Sequence, residues 1–244
     1  MQINITTPDG KADCHFVRPA GKGDYPTVIM YMDVFGVRPS LIAMAERLSS
    51  SGYNVLLPNL YYRAGAFAPF NPATAFENEQ ERNRLMALRQ STNQDLAKRD
   101  AAAFLDYLAK ESAPGSKIGC VGYCMGGAYA ITAAGTFPDR VGAAATFHGG
   151  RLATDQPDSP HLLAPKIRAK VYIGIAGIDA HFSDAEKDRL KAALEAAHVR
   201  HEIEVYPGVR HGFTISDMPA YDREACERHW DRLLQLLGEA KLKA

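Results

Sequence analysis

Gly122-Tyr123-Cys124-Met125-Gly126 is a G-x-C-x-G pentapeptide between an apolar run and a stretch of small, helix-forming residues. A strand-to-helix turn of this kind holds its central residue in a strained backbone conformation, and flanking glycines leave room for the close turn. A sulfur at the apex would stand above the carboxyl edge of a sheet, with a helix N-terminus beneath it favouring the thiolate. The Met125 N–H would face a developing oxyanion. The chemistry this predicts is acyl transfer with Cys124 as nucleophile. The competing reading is a small buried residue in a tight turn, as free cysteines often are. That reading is the one adopted for Cys14, Cys120 and Cys226.

A nucleophile needs a base and a group to orient it. In a parallel α/β sheet these follow in the order nucleophile, acid, histidine, each just after a strand. The run at 170–175 is followed by Ala176-Gly177-Ile178-Asp179-Ala180-His181-Phe182, and the run at 202–206 by Pro207-Gly208-Val209-Arg210-His211-Gly212-Phe213. Asp179 and His211 are therefore expected at the same sheet edge as Cys124. Asp184 is a rival acid, but it falls in a helix N-terminus where a carboxylate already has a structural role. His148 ends a strand before Gly149 and Gly150 and is a candidate for the wall of the site. His181 reads as a surface-loop residue, and His201 as the start of a strand at the other end of the sheet.

These positions require alternating βα units. Segments near 2–6 and 12–18 read as an antiparallel hairpin turning at Pro8, Asp9 and Gly10. Further strands are expected at Thr27–Asp33, Asn54–Leu57, Lys117–Gly122, Ala143–Phe147, Lys170–Ile175 and Glu202–Tyr206. Helices are expected over about 39–51, 78–91, through Ala101, Phe104, Leu105 and Leu108, after the elbow, over 184–197 and over 221–237. Ser183-Asp184-Ala185-Glu186 fits a capping box. Residues 61–80 show no period and read as a loop walling the site. The expected architecture is a mainly parallel sheet of about seven to eight strands with helices on both faces, one domain over residues 1–244.

Composition agrees with a small-molecule enzyme. The chain has 244 residues, 46% of them hydrophobic, and 28 basic residues balance 28 acidic ones. That neutrality, with no basic block, argues against nucleic acid or an anionic membrane as partner. No basic-then-apolar leader and no run of ~18 apolar residues is present, so a cytoplasmic location is expected. The four cysteines fit neither a zinc site nor a CxxC pair, and no metal or cofactor is expected.

At this point the residues resemble the dienelactone hydrolase family of α/β-hydrolases. Val121-Gly122-Tyr123-Cys124-Met125-Gly126-Gly127 is similar to that family's V-G-Y-C-L-G-G elbow. Asp33-Val34-Phe35-Gly36-Val37 resembles its E-I-F-G-V segment, and Pro58-Asn59-Leu60-Tyr61-Tyr62-Arg63 its P-D-L-Y-x-R. The stretches around Asp179 and His211 match its acid and histidine motifs, so the resemblance spans about residues 2 to 238. It implies an α/β-hydrolase fold and a Cys124–His211–Asp179 triad that opens an enol-lactone through a thioester. It also implies an acid, here Asp33, that holds and tunes the thiol, and an oxyanion hole of the Met125 and Val34 N–H groups. The family reads a substrate carboxylate with two arginines. One corresponds to Arg82, with Arg84 close by, and the other to Ile215, where the charge is lost. Phe35 and His148 join Arg82 and Ile215 as candidate substrate contacts, while Arg63 and Arg210 are alternative charges with equally good structural roles. The expected ligand is a small lactone or ester, and the expected state a monomer or small homo-oligomer. The alternatives are a broad carboxylesterase or thioesterase, and a non-enzymatic hydrolase-fold binding or thiol-sensing protein.

Overall fold

Polar and apolar residues alternate along Gln2–Thr7 (β1) and Gly10–Val17 (β2). The two pair antiparallel, which turns Ile5, Ala12, Cys14 and Phe16 inward. By contrast Thr27–Tyr31 (β3), Asn54–Pro58 (β4), Ile118–Tyr123 (β5) and Val141–Phe147 (β6) are buried at every position. That is the signature of strands covered on both faces. Lys170–Ile178 (β7) and His201–Arg210 (β8) complete one eight-stranded sheet in the order β1-β2-β4-β3-β5-β6-β7-β8. β2 meets β4 antiparallel, and every pairing from β4 through β8 is parallel. This computed structural model describes residues 1–21, 23–240 and 242.

Among the described residues six α-helices flank the sheet on both faces: Pro39–Ser50 (α1), Glu79–Gln90 (α2), Gln94–Leu108 (α3), Met125–Thr136 (α4), Asp184–Ala196 (α5) and Arg223–Glu239 (α6). Their ends follow local chemistry. Pro39 opens α1, and Gly52 follows it with φ +93°, a conformation that favours glycine. Asn78 caps α2 by accepting from Glu81 N–H, and Ser183 with Glu186 forms the reciprocal capping box of α5. Arg47 of α1 pairs with Glu227 of α6 and lies over Trp230, joining the two helices that share one face. The small residues of α4 let it sink against β5 and β6, and Met125 to Gly135 are all buried.

Two expected strands prove longer than their β-branched cores. β7 runs on to Ile178 and β8 to Arg210, so that Asp179 and His211 are the first residues past their strands. β3 is shorter than expected, ending at Tyr31, which leaves Met32 and Asp33 in the following loop. Within 61–80 the chain makes a 3-10 turn at Tyr62–Ala64 before α2 begins. Arg63 there is structural, bonded to Asp9 and to the buried Asp100. A 3-10 helix at Pro160–Lys166 has no counterpart in the sequence reading. No helix among the described residues is long and apolar enough to cross a membrane.

Candidate active site

Cys124 sits between β5 and α4 with φ +53° and ψ −119°, a strained conformation for any residue with a Cβ. The surrounding glycines show why the turn can close. A Cβ on Gly122 would fall on the Gly126 carbonyl, and one on Gly126 would come within 2.5 Å of the Tyr31 and Met32 carbonyl oxygens. The elbow thus packs directly on the end of β3, and Cys124 N–H donates to the Phe147 carbonyl at 3.2 Å. Cys14, Cys120 and Cys226 are buried, whereas Cys124 is partly exposed. Burial pushes the Cys14 and Cys120 thiols up, out of range of thiolate chemistry.

His211 follows β8 and donates from Nδ1 to Asp179 Oδ2 at 2.8 Å. The Asp179 carboxylate is shielded from solvent, and its other oxygen accepts from His181 N–H at 2.8 Å. With Nδ1 committed, Nε2 is the free nitrogen; it is buried and has no fully formed hydrogen bond. Burial alone would lower the imidazole pKa. The Cys124 sulfur and Asp179 outweigh it and raise His211 to about 10. The sulfur and the ring line the same cavity, and no hydrogen bond joins Nε2 to the sulfur among the described residues.

Cys124, His211, Val34 and Met125 share one cavity of about 330 Å³. Among the candidate substrate contacts, Phe35, His148 and Ile215 line it as well. His148 and His181 both set their rings edge-on to His211, with centroids 5.0 and 4.9 Å away. His148 is buried with φ +40° and is hydrogen-bonded through Nε2 to Thr214 Oγ1 at 2.8 Å, while its Nδ1 has no partner. Burial and the neighbouring His211 charge keep it neutral, its pKa well below the usual histidine value. His181, read from sequence as a surface residue, is exposed but also lines the cavity.

Arg82 does not line it. Its side chain is exposed and bonds to the Phe76 carbonyl at 3.3 Å. Arg84 is drawn instead to the Ala68 carbonyl and to Glu81. The arginine of α2 that reaches the cavity is Arg89, two turns beyond Arg82 on nearly the same helix face. The pattern gives the correct side of the helix; which turn overhangs the cavity depends on where the helix ends.

Asp33 lies at the cavity wall but is not bonded to the Cys124 sulfur. Both of its oxygens accept from Arg38, at 2.7 and 2.9 Å, and Oδ1 also accepts from Phe35 N–H. Arg38 continues to Asp217, at 2.7 and 2.9 Å. Burial raises the Asp33 pKa and the Arg38 charge opposes the rise. The clamp ties the loop after β3 to the segment after His211. Tyr61 was not singled out by sequence reasoning, although its motif was. Its hydroxyl donates to the Val34 carbonyl at 2.8 Å and lies 3.6 Å from Met125 Sδ, fixing the Val34–Phe35 peptide, the neighbour of the one that carries the Val34 N–H. Arg38, Arg89, Arg151 and Asp217 were also missed, and only Tyr61 carried a signal, its place in P-N-L-Y-Y-R.

The profile of the dienelactone hydrolase family matches residues 13–241. The chain is 26% identical over 244 residues to the carboxymethylenebutenolidase of Pseudomonas putida, covering 99% of this chain and 97% of that one. It is 29% identical over 237 residues to a Methylorubrum extorquens protein assigned as a carboxymethylenebutenolidase, covering 95% and 78%. In three dimensions it is similar to a Klebsiella pneumoniae protein assigned as a dienelactone hydrolase, with TM-score 0.85 at 22% identity over 98% and 97% of the two chains.

Proposed function

The chain belongs to the dienelactone hydrolase family and is a hydrolase of ester or lactone bonds, and from that premise we propose that it opens an enol-lactone or related carboxylic ester through Cys124, His211 and Asp179. One observation carries this reading above the others. The strained Cys124 and a histidine whose Nδ1 is already tied to a shielded carboxylate face one cavity, which leaves only Nε2 to serve the sulfur.

In this scheme the Cys124 thiolate attacks the carbonyl carbon, and the negative oxygen is received by the Met125 and Val34 N–H groups. Collapse breaks the C–O bond, His211 Nε2–H gives its proton to the departing oxygen, and an acyl-thioester remains on Cys124. Water then loses a proton to Nε2, attacks the thioester and releases the carboxylic acid with the thiolate restored. An enol is a good leaving group, which suits a thiolate that is a poor nucleophile toward amides. Asp33, with its carboxylate taken up by Arg38, acts on the Val34 peptide by anchoring the loop, so its influence on the thiol is indirect.

The test is mass spectrometry of the protein mixed with an enol-lactone and, separately, an aryl ester. A mass increase equal to the acyl group, mapped to Cys124 and absent in Cys124→Ala, is the expected result. Cys124→Ala should also lose at least about 10⁴-fold in kcat with its fold intact. Turnover surviving in Cys124→Ala, or acylation at another residue, would overturn the assignment.

A further inference from the structure

One side chain joins two segments that wall the cavity. Asp33 and Val34 come from the loop after β3, and His211 and Ile215 from the loop after β8. Arg38 spans the two loops and spends every N–H of its guanidinium in doing so. Nη1 donates to Asp33 Oδ1 and to the Gly36 carbonyl, at 2.7 and 3.3 Å. Nη2 donates to Asp33 Oδ2 and Asp217 Oδ1, each at 2.9 Å, and Nε to Asp217 Oδ2 at 2.7 Å. A double fork of this kind fixes direction as well as distance.

Both ends of this strut rest on ordered backbone. Arg38 is held extended before Pro39, and its carbonyl accepts the Ile42 N–H as α1 begins. Asp33 also accepts from Phe35 N–H, and Gly36 N–H bonds back to the Asp33 carbonyl, which closes a turn around Val34. At the far end Phe213, Ile215, Met218 and Tyr221 each donate N–H to the carbonyl three residues earlier. That run of turns carries His211 and Asp217 on one frame, and Ser40 Oγ adds a bond to Asp217 at 2.9 Å.

Stability alone does not call for the arrangement. Arg38 and Asp33 are buried, and a buried ion pair is often no better than apolar residues of the same volume. Two carboxylates on one guanidinium also leave net negative charge at the wall that Cys124 shares, which opposes a thiolate. What the strut does supply is placement. A donor displaced by about 1 Å from a developing oxyanion loses most of its effect.

We propose that Arg38 is a positioning residue of the hydrolase: it seats the Val34 N–H against the frame that carries His211, so that oxyanion donor and base keep one spacing. The assignment rests on the proposed function, from which Val34 and His211 take those roles. It gives Asp33 and Asp217 a shared task as the two feet of the strut.

The experiment measures three things on the same variants: hydrolysis of 4-nitrophenyl acetate, alkylation of Cys124 by iodoacetamide, and unfolding in urea. Arg38→Gln should lower kcat about a hundredfold and Asp217→Asn about tenfold, with KM near its wild-type value. Arg38→Lys should keep part of the kcat that Arg38→Gln loses, because the charge stays while the forks go. Alkylation forms no oxyanion, so its rate should hold in all three. Arg63→Gln is the control. It loosens a comparable clamp, on Asp9 and the buried Asp100 away from the cavity, and should lower stability while kcat holds. If Arg38→Gln does not fold, Asp217→Asn and Arg38→Lys carry the test. Unchanged kcat in those two, or an equal loss of kcat in Arg63→Gln, overturns the assignment. Turnover that persists in Cys124→Ala overturns the proposed function instead. If the wild type leaves the ester intact, trifluoroacetone decides, since its carbonyl takes the thiolate as a hemithioketal oxyanion. Weaker binding of the ketone in Asp217→Asn and Arg38→Lys supports the strut, and equal binding, or none in the wild type, overturns it.

Discussion

His211 at the carboxyl rim of the sheet and His229 beneath it on α6 are both largely shut off from water, yet their proton affinities move in opposite directions. His229 packs against Phe147 and Trp230, with ring centroids 4.5 and 4.7 Å away. It donates from Nδ1 to the Cys226 carbonyl at 2.7 Å and accepts at Nε2 from the Tyr123 hydroxyl at 3.0 Å. Burial dominates there and drives its pKa down to about 3. His211 bears a similar burial penalty, but the Cys124 sulfur and the Asp179 carboxylate reverse it. Burial alone therefore makes a neutral structural imidazole, and the adjoining sulfur and carboxylate are what let a buried ring hold its proton.

The largest effect that could break this contrast is at Asp179. Asp179→Asn keeps the shape but removes the charge and offers His211 the wrong tautomer, so kcat should fall about 10³–10⁴-fold. A loss under tenfold in steady-state assays would mean that Asp179 does not orient the base.

The same contrast separates what the sequence discloses from what it hides. Cys124, Asp179 and His211 were legible because each is fixed by a short-range rule: glycines that permit one turn, or a place directly after a β-branched run. The cavity's charges obey no such rule. Arg38 meets Asp217 from 179 positions away in the chain. Arg82 and Arg89 share a helix face, so periodicity cannot say which overhangs the cavity. The strained backbone of Arg151 has no sequence signature, because nothing in its residue type asks for positive φ. The fold was read more completely than the wall of the site, since strands and helices advertise themselves by period and side-chain pairing does not.

Next in size is the pH dependence of stability. A histidine held neutral, with its folded pKa below the unfolded value of 6.5, contributes stability that is fully present above pH 6.5. That contribution is lost as pH falls toward about 3. For His229 the loss should reach up to about 5 kcal/mol, measured as urea unfolding free energy across that window. His229→Gln should flatten this acid limb, leaving the part due to the neutral His148. An unaltered slope would show that His229 is not the group that charges on unfolding.

His211 should show the opposite limb. Its raised pKa contributes stability present below pH 6.5 and lost as pH rises through about 10. The Cys124 sulfur is the largest of the influences raising it, so Cys124→Ala should bring the His211 titration down toward the ordinary histidine value, followed by its ring proton resonances. A titration unmoved by loss of the sulfur would leave Asp179 as the sole cause and would separate the thiol from the base.

The smallest expected effect tests whether the two imidazoles are independent. Tyr123 is adjacent to Cys124 in sequence, but its hydroxyl points to α6 and satisfies His229 Nε2. Tyr123→Phe removes that donor and leaves a buried nitrogen unpaired, which should cost about 1–2 kcal/mol of unfolding free energy. The His211 titration should stay where it is in the same variant, because the lost hydroxyl bonds to His229 and to neither partner of the Nδ1–carboxylate bond. If both the stability and the His211 titration moved together, the elbow would be transmitting strain between rim and interior. The opposed pKa values would then belong to one coupled network rather than to two separately tuned sites.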